Sequence, residues 1–309
     1  MVEIFKVDKV ALLVVFNHRF DRNLPRLREL YKEKFSNVFF LMPFYDGNDE
    51  DVIPVYYPSN CFQGFFQTAY QVLKNKEFDY WFIVADDMVI NPSITENNIT
   101  STFSISKSDS FIPTLCQFND ELSWPHARKS LAFNLNDPFI ENKRALPSNE
   151  ECYEALAKYG VEPLGLRFEN VYKNIGKDDY YRAAICGSRY LKDKKELDSN
   201  SLLYGDYPFC FAYSDILVIG KDNIERFCHY CGIFAASGLF VEIAVPTAML
   251  LATKGKVVNQ ADAKFAGKPL WGNDVEVVLG KYNFNLDRLI SDFPDNYLFL
   301  HPVKLSQWK

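Results

Sequence analysis

Two adjacent carboxylates, Asp86 and Asp87, close the segment Asp79-Tyr-Trp-Phe-Ile-Val-Ala-Asp-Asp-Met-Val-Ile90. The run before them, Tyr80 to Ala85, is short and rich in aromatic and β-branched residues. That pattern predicts a strand buried on both faces of a mixed α/β sheet. Ligands of open α/β sheets bind at the carboxyl ends of strands. Paired carboxylates there are costly unless a metal or a donor-rich ligand compensates them. Hard oxygen donors of this kind suit Mg²⁺ or Mn²⁺ carrying a phosphate.

Other residues could do chemistry around such a pair. Glu242 interrupts the apolar run Gly238-Leu-Phe-Val-Glu-Ile-Ala-Val-Pro246. It is either a capping acid stabilised by a helix dipole or a pocket carboxylate of raised proton affinity, suited to take a proton from a hydroxyl. In the turn Asn17-His18-Arg19, Arg19 could grip a phosphate in a bidentate manner and His18 could stack on a nucleotide; a solvated turn fits equally well. Asn60 to Gly64 precedes a helix, so its backbone N–H groups either face a ligand or simply cap. Cys228 and Cys231 have CxxC spacing with no second pair, which reads as two core-facing thiols. His126, between Pro125 and Ala127, fits a packed loop or an acceptor pocket.

The elements that must position these residues alternate through the first hundred positions. Strands are predicted at Val10 to Phe16, Val38 to Met42, Val52 to Tyr56 and Tyr80 to Ala85, with helices at Leu24 to Phe35 and Gln63 to Lys74. Asn23 is a fair N-cap, and Pro25 is tolerated in the first turn. Such alternation implies parallel strands with crossover helices, a nucleotide-binding half. From about 101 to 201 the rhythm is lost apart from a helix at Asn149 to Tyr159. Order returns at Phe209 to Ile219, followed by helices near Asn223 to Phe234 and Glu242 to Thr253. A short strand at Lys256 to Asn259, a helical turn at Leu286 to Asp292 and a last strand at Tyr297 to Leu300 complete the chain.

Composition narrows the function. The 309 residues suffice for a large core, and 48% apolar content excludes wholesale disorder. A net charge of −6 without a basic stripe argues against nucleic-acid binding. The basic cluster Lys192-Asp-Lys-Lys195 reads as a solvated face. Val10 to Phe16 is too short for a signal peptide. The apolar stretch Gly238 to Ala252, broken by Glu242 and Pro246, is too short to span a bilayer. Seven unevenly spaced cysteines look like reduced thiols, so a cytoplasmic location is expected.

The order of these parts resembles the GT-A superfamily of nucleotide-sugar-dependent glycosyltransferases. Ala85-Asp86-Asp87 stands where that family has its DxD motif. Phe240-Val241-Glu242 stands where it has an acidic helix-start residue, although Ile243 replaces the second acid of the usual pair. Leu298-Phe-Leu-His301-Pro-Val-Lys304 matches its late histidine. The resemblance implies a GT-A-like, Rossmann-type mixed sheet flanked by helices, with an irregular acceptor-side region. Residues 1–105 would form the nucleotide-sugar and metal-binding half. Residues 106–309 would form the acceptor-binding half of the same domain, with a variable insertion at about 106–205. Asp87 would ligate Mn²⁺ or Mg²⁺, Asp86 would share the metal or hold the ribose, and His301 would complete the coordination. Asn17, Arg19 and Lys304 would meet the nucleotide, and Glu242 would act on the acceptor. The implied activity is transfer of a sugar from a nucleotide-diphosphate donor to a saccharide or lipid-linked acceptor, as in bacterial cell-surface polysaccharide synthesis, with room for peripheral membrane association. The rival readings are a nucleotidyltransferase making a nucleotide sugar, which would normally carry a glycine-rich loop after the first strand, and a degenerate nucleotide-sugar-binding protein.

Overall fold

A computed structural model describes residues 8–115, 127, 129–137, 139–167, 202–263 and 265–308. The strands are β1 (Val10–Val15), β2 (Val38–Pro43), β3 (Val52–Val55), β4 (Tyr80–Ala85), β5 (Val89–Ile90), β6 (Ser110–Phe111), β7 (Gly165–Arg167), β8 (Leu202–Tyr204), β9 (Ile216–Gly220), β10 (Val257–Val258), β11 (Ala266–Pro269) and β12 (Tyr297–His301). The helices that matter below are α1 (Leu24–Tyr31), α2 (Gln63–Leu73), α3 (Asn149–Lys158), α4 (Ile224–Ala236) and α5 (Val241–Ala252).

A seven-stranded mixed sheet in the order β3-β2-β1-β4-β9-β6-β10 forms the centre. Strands β1 to β4 run parallel. β9 is antiparallel to both β4 and β6, and β10 is parallel to β6. The sheet therefore draws strands from both sides of residue 105. A second sheet, β11-β12-β5, and a β7-β8 pair complete the described strands.

The alternation of side chains along β1 splits the core in two. Ala11, Leu13 and Val15 face a cluster with Phe65, Phe66 and Leu73 of α2, Leu156 of α3, Phe227 of α4 and Ala248 of α5. Val10, Leu12 and Val14 face Leu24, Leu27 and Tyr31 of α1 and Leu298 to Leu300 of β12. Because both faces are covered, all six residues of β1 and of β4 are buried and read as continuous apolar runs. Aromatic rings fix the layers: Phe66 stacks on Phe227 with centroids 5.9 Å apart, and Phe82 meets Phe103 at 5.5 Å. Each such ring contributes about 1.5–3 kcal/mol by burial.

Two local features set the approach to the sheet's carboxyl edge. Gly64 lets α2 start against the ring of Tyr57; a Cβ there would fall 2.7 Å from the ring. Gly238 ends the α4 turn in the left-handed region, φ +66°, as a helix-terminating glycine does, and turns the chain into α5.

Candidate active site at the β1–β4 switch point

The chain leaves β1 towards β2 on one side, while β4 lies on the other, so the strand order reverses between β1 and β4. This is where doubly wound sheets open a crevice beyond their carboxyl ends. Here Val15, Asn17, Ile83, Ala85, Phe62, Ser214 and Asp215 bound a gap too narrow to admit a water molecule. Asp86 and Asp87 directly follow β4.

Asp86 is buried, with its N–H donating to the Val15 carbonyl at 2.9 Å. Burial and the neighbouring Asp87 charge push its carboxyl up to about 7, against hydrogen bonds from the Asn23 side chain and the Asn17 N–H. Asn23 thus makes no side-chain cap to α1. Its amide serves the carboxylate instead, a departure from the capping expectation that sequence could not foresee, because the partner is 63 positions away.

Asp87 meets His301 through register. β5 begins two residues after Asp87 and pairs antiparallel with β12, Val89 opposite Leu300 and Ile90 opposite Phe299. The next residue of β12, His301, must then lie beside the turn that carries Asp87. Its Nε2 is 2.9 Å from Asp87 Oδ1, and the Val303 N–H donates to the Asp87 carbonyl at 2.5 Å. Burial pulls the imidazole's proton affinity down, but Asp87, Asp215 and Asp86 outweigh it and leave His301 raised above its ordinary value.

Two residues that sequence reasoning did not single out complete the cluster. β9 runs antiparallel to β4, so its first residues lie at the end where β4 finishes; the Ala85 N–H donates to the Asp215 carbonyl at 3.0 Å. The Tyr213 hydroxyl is 2.7 Å from His301 Nδ1. Asp215 Oδ2 stands 4.0 Å from the same nitrogen, and burial raises its carboxyl. A signal existed: Asp215 precedes the apolar run Ile216 to Ile219 just as Asp86 follows one. Only an antiparallel partner makes those two positions neighbours.

Glu242 lies in the first turn of α5, whose remaining residues are buried. Its Oε2 is buried with no hydrogen-bond partner. Burial first, and the Asp215 charge second, push its carboxyl up to about 8. The unsatisfied oxygen is a costly feature in a folded protein, and it stands on the Asp215 side of the cluster. Of the two readings from sequence, the structure gives the buried carboxylate.

The remaining candidates sit differently. The Arg19 guanidinium is committed to Asp21 at 3.0 Å, Asp46 at 2.6 Å and the Phe44 carbonyl at 3.2 Å, an arrangement that ties the β2–β3 loop to the end of β1. His18 and Lys304 are exposed. The Asn60 to Gly64 segment is a 3₁₀ turn running into α2. There the Gln63 amide donates to the Leu239 carbonyl at 2.8 Å, clamping the turn to the α4–α5 connection. Cys228 and Cys231 are buried in the core cluster, as the sequence suggested. His126 and the Lys192 to Lys195 cluster lie outside the described residues, as does much of the 106–205 insertion.

Among the described residues, no three His, Cys, Asp or Glu side chains stand together as a ready metal cage. The donor set nevertheless fits a hard divalent cation. Asp87 and His301 present one oxygen and one nitrogen 2.9 Å apart, close to the ~3 Å between adjacent ligands held ~2.1 Å from an octahedral ion. The other imidazole nitrogen is already bonded, as metal-ligating histidines require.

No family model matches the chain, and no curated protein is significantly similar to it. Among the described residues no helix is long and apolar enough to cross a membrane. The fold and the site therefore define the class: a mixed α/β protein with Asp87, Asp215 and His301 gathered beside Asp86 at a topological switch point.

Proposed function

We propose that this protein is a metal-dependent glycosyltransferase of GT-A type, moving a sugar from a nucleotide-diphosphate donor to a saccharide or lipid-linked acceptor. The observation that carries the reading is the contact of Asp87 with His301 beside Asp86, at the point where the strand order reverses. The sheet's β3-β2-β1-β4 order is that of nucleotide-binding halves.

Asp87 and His301, with Asp86 beside them, would hold Mn²⁺ or Mg²⁺. Once bound, the ion would offset the negative charge that develops on the departing nucleoside diphosphate. Asn17 and Asn23 orient Asp86 from the β1 side. Phe62, Val15 and Ala85 supply apolar surface at the carboxyl end of the sheet. Glu242, whose carboxyl ionises only near 8, would in its ionised form accept a proton from the acceptor hydroxyl. Arg19 organises the β2–β3 loop in this reading, and phosphate recognition falls to backbone N–H groups and to Lys304.

Calorimetric titration of UDP and GDP with and without Mn²⁺, followed by donor hydrolysis and transfer assays, tests the proposal. Cation-dependent nucleotide binding with sugar release is the expected result. Pyrophosphate-dependent exchange would make the protein a nucleotidyltransferase, and binding without turnover a nucleotide-sugar-binding protein. Activity untouched by EDTA would overturn the role given to Asp87 and His301.

A further inference from the structure

We propose that the pocket between α2 and α4 is a binding site for a short neutral saccharide, separate from the candidate active site. It stands whether or not the protein transfers sugars.

The pocket lies towards the amino end of β4. β9 ends at Gly220, opposite Tyr80, so α4 starts on that side of the sheet. Tyr70 of α2 meets Trp81, the second residue of β4, with ring centroids 6.0 Å apart. Asp86 stands beyond the other end of β4, about 16 Å along the strand. Gln67, Tyr70 and Gln71 of α2 and Glu225, Arg226 and Tyr230 of α4 line a cavity of about 340 Å³, and none of them belongs to the Asp86–Asp87–His301 cluster. That volume is at the small end of the range for ligand sites, about 300–1,000 Å³.

The side chains set the class of ligand. Each sugar hydroxyl both donates and accepts, while the C–H faces of the ring are apolar. The pocket answers both, with amides that carry a donor and an acceptor together and with two tyrosine rings. One carboxylate against one guanidinium leaves the lining acid and arginine balanced, which favours neither a phosphate nor a cation. Part of the hydrogen-bonding capacity is already spent on holding the walls. Arg226 donates to the Tyr230 hydroxyl at 2.9 Å and lies over its ring, and His229 Nε2 is 3.2 Å from the Ala145 carbonyl. Gln71 accepts from Lys74 at 2.8 Å and keeps its NH₂ group to give.

Gln67 is the unspent group. Its Oε1 is buried without a hydrogen bond, and among the described residues its NH₂ group has no partner either. Leaving a buried acceptor unpaired is costly, so a partner that arrives with a ligand is favoured. The terminal torsion of glutamine is soft, and the amide can turn to meet one. Its stem is held closely: a Cβ on Gly232 of α4 would fall 3.0 Å from Gln67 Cγ. Glycine is a poor helix residue, and here it gives the glutamine room.

The test applies full-length protein to a printed array of neutral mono- to tetrasaccharides, then measures the bound saccharide by saturation-transfer-difference NMR. Saturable binding with transfer to ring C–H protons is the expected result. Gln67→Leu keeps the bulk and removes both polar ends, so it should weaken binding about tenfold. The same variant should melt at or above wild type, because the orphan oxygen goes with the amide. Tyr70→Ala should weaken binding by a similar factor, while Asp87→Ala and Glu242→Gln should leave it unchanged. An array on which no saccharide binds would overturn the proposal. So would displacement of the saccharide by inorganic phosphate, or binding that Glu242→Gln abolishes, which would put the sugar at the active site. A Gln67→Leu protein that binds like wild type, or melts well below it, would overturn the role given to the amide and the proposal with it.

Discussion

Replacing Glu242 with Gln separates the proposed catalytic role from stability, because the two should move in opposite directions. The folded protein holds the Glu242 proton with an affinity near 8, against 4.5 for an ordinary glutamate, chiefly because the group is buried. Below about pH 4.5 both the folded and the unfolded chain carry the proton, and the group is neutral in its effect. As pH rises further the unfolded chain releases the proton first. Unfolding is then favoured by up to about 1.4 kcal/mol per pH unit, until the folded group ionises near 8. Integrated from pH 5.5 to 8.5, that destabilisation amounts to about 3 kcal/mol. Gln does not titrate, so Glu242→Gln should gain on wild type by up to about 3 kcal/mol across this range, while turnover falls roughly 10²–10⁴-fold. Urea unfolding of both proteins at half-unit pH steps measures the difference directly, and subtraction cancels the parallel contribution of Asp86. A difference that stays flat with pH would refute the buried, high-affinity carboxylate. Normal turnover would remove Glu242 from the chemistry, and a large loss of stability at every pH would mark it as a structural cap.

Asp87→Ala should abolish Mn²⁺-dependent nucleotide binding by calorimetry while the thermal transition persists, since its carboxylate makes one contact, to His301, and is a ligand of the ion in the proposed reading. Asp79 opens β4 between Lys107, 2.7 Å away, and Lys221 at 3.4 Å. Burial opposes its ionisation, but these lysines and the Lys9 N–H win and hold its carboxyl at about 2. Its stabilisation is therefore full above about pH 3.8 and is lost as pH falls through 2. Because both lysines are half exposed, Asp79→Asn should cost only about 1–2 kcal/mol at pH 7 by urea unfolding. Phe82, fully buried on β4 against Phe35 and Phe103, should cost about 3–5 kcal/mol when cut to Ala; a loss under about 1 kcal/mol would mean the site collapses around the gap.

What the sequence determined by itself is local. Tyr80 to Ala85 reads as a doubly buried strand because a strand covered on both faces needs no polar alternation, and the structure gives those bounds. The spacing of Leu24, Leu27 and Tyr31 yields α1, though it stops at Tyr31, where Phe35 turns back to pack on Tyr31 and Phe82. The loss of rhythm after residue 101 likewise foretells the short elements described there. Tertiary structure decided the rest. The reversal of β9 brings Tyr213 and Asp215 to the end of β4, and the two-residue β5 draws His301 onto Asp87. A strand's direction and a two-residue pairing leave no periodic trace, since both are set by partners far away in the chain. The same holds for the polar partners. Asn23 could cap a helix or bond a carboxylate, and Arg19 could hold a phosphate or tie a loop; residue type permits both, and only the neighbours delivered by folding select one. Burial of Glu242 is the clearest case. An acid at a helix start is ordinary, and it is the packing of α5 between α2, α3 and α4 that leaves its oxygen without a partner.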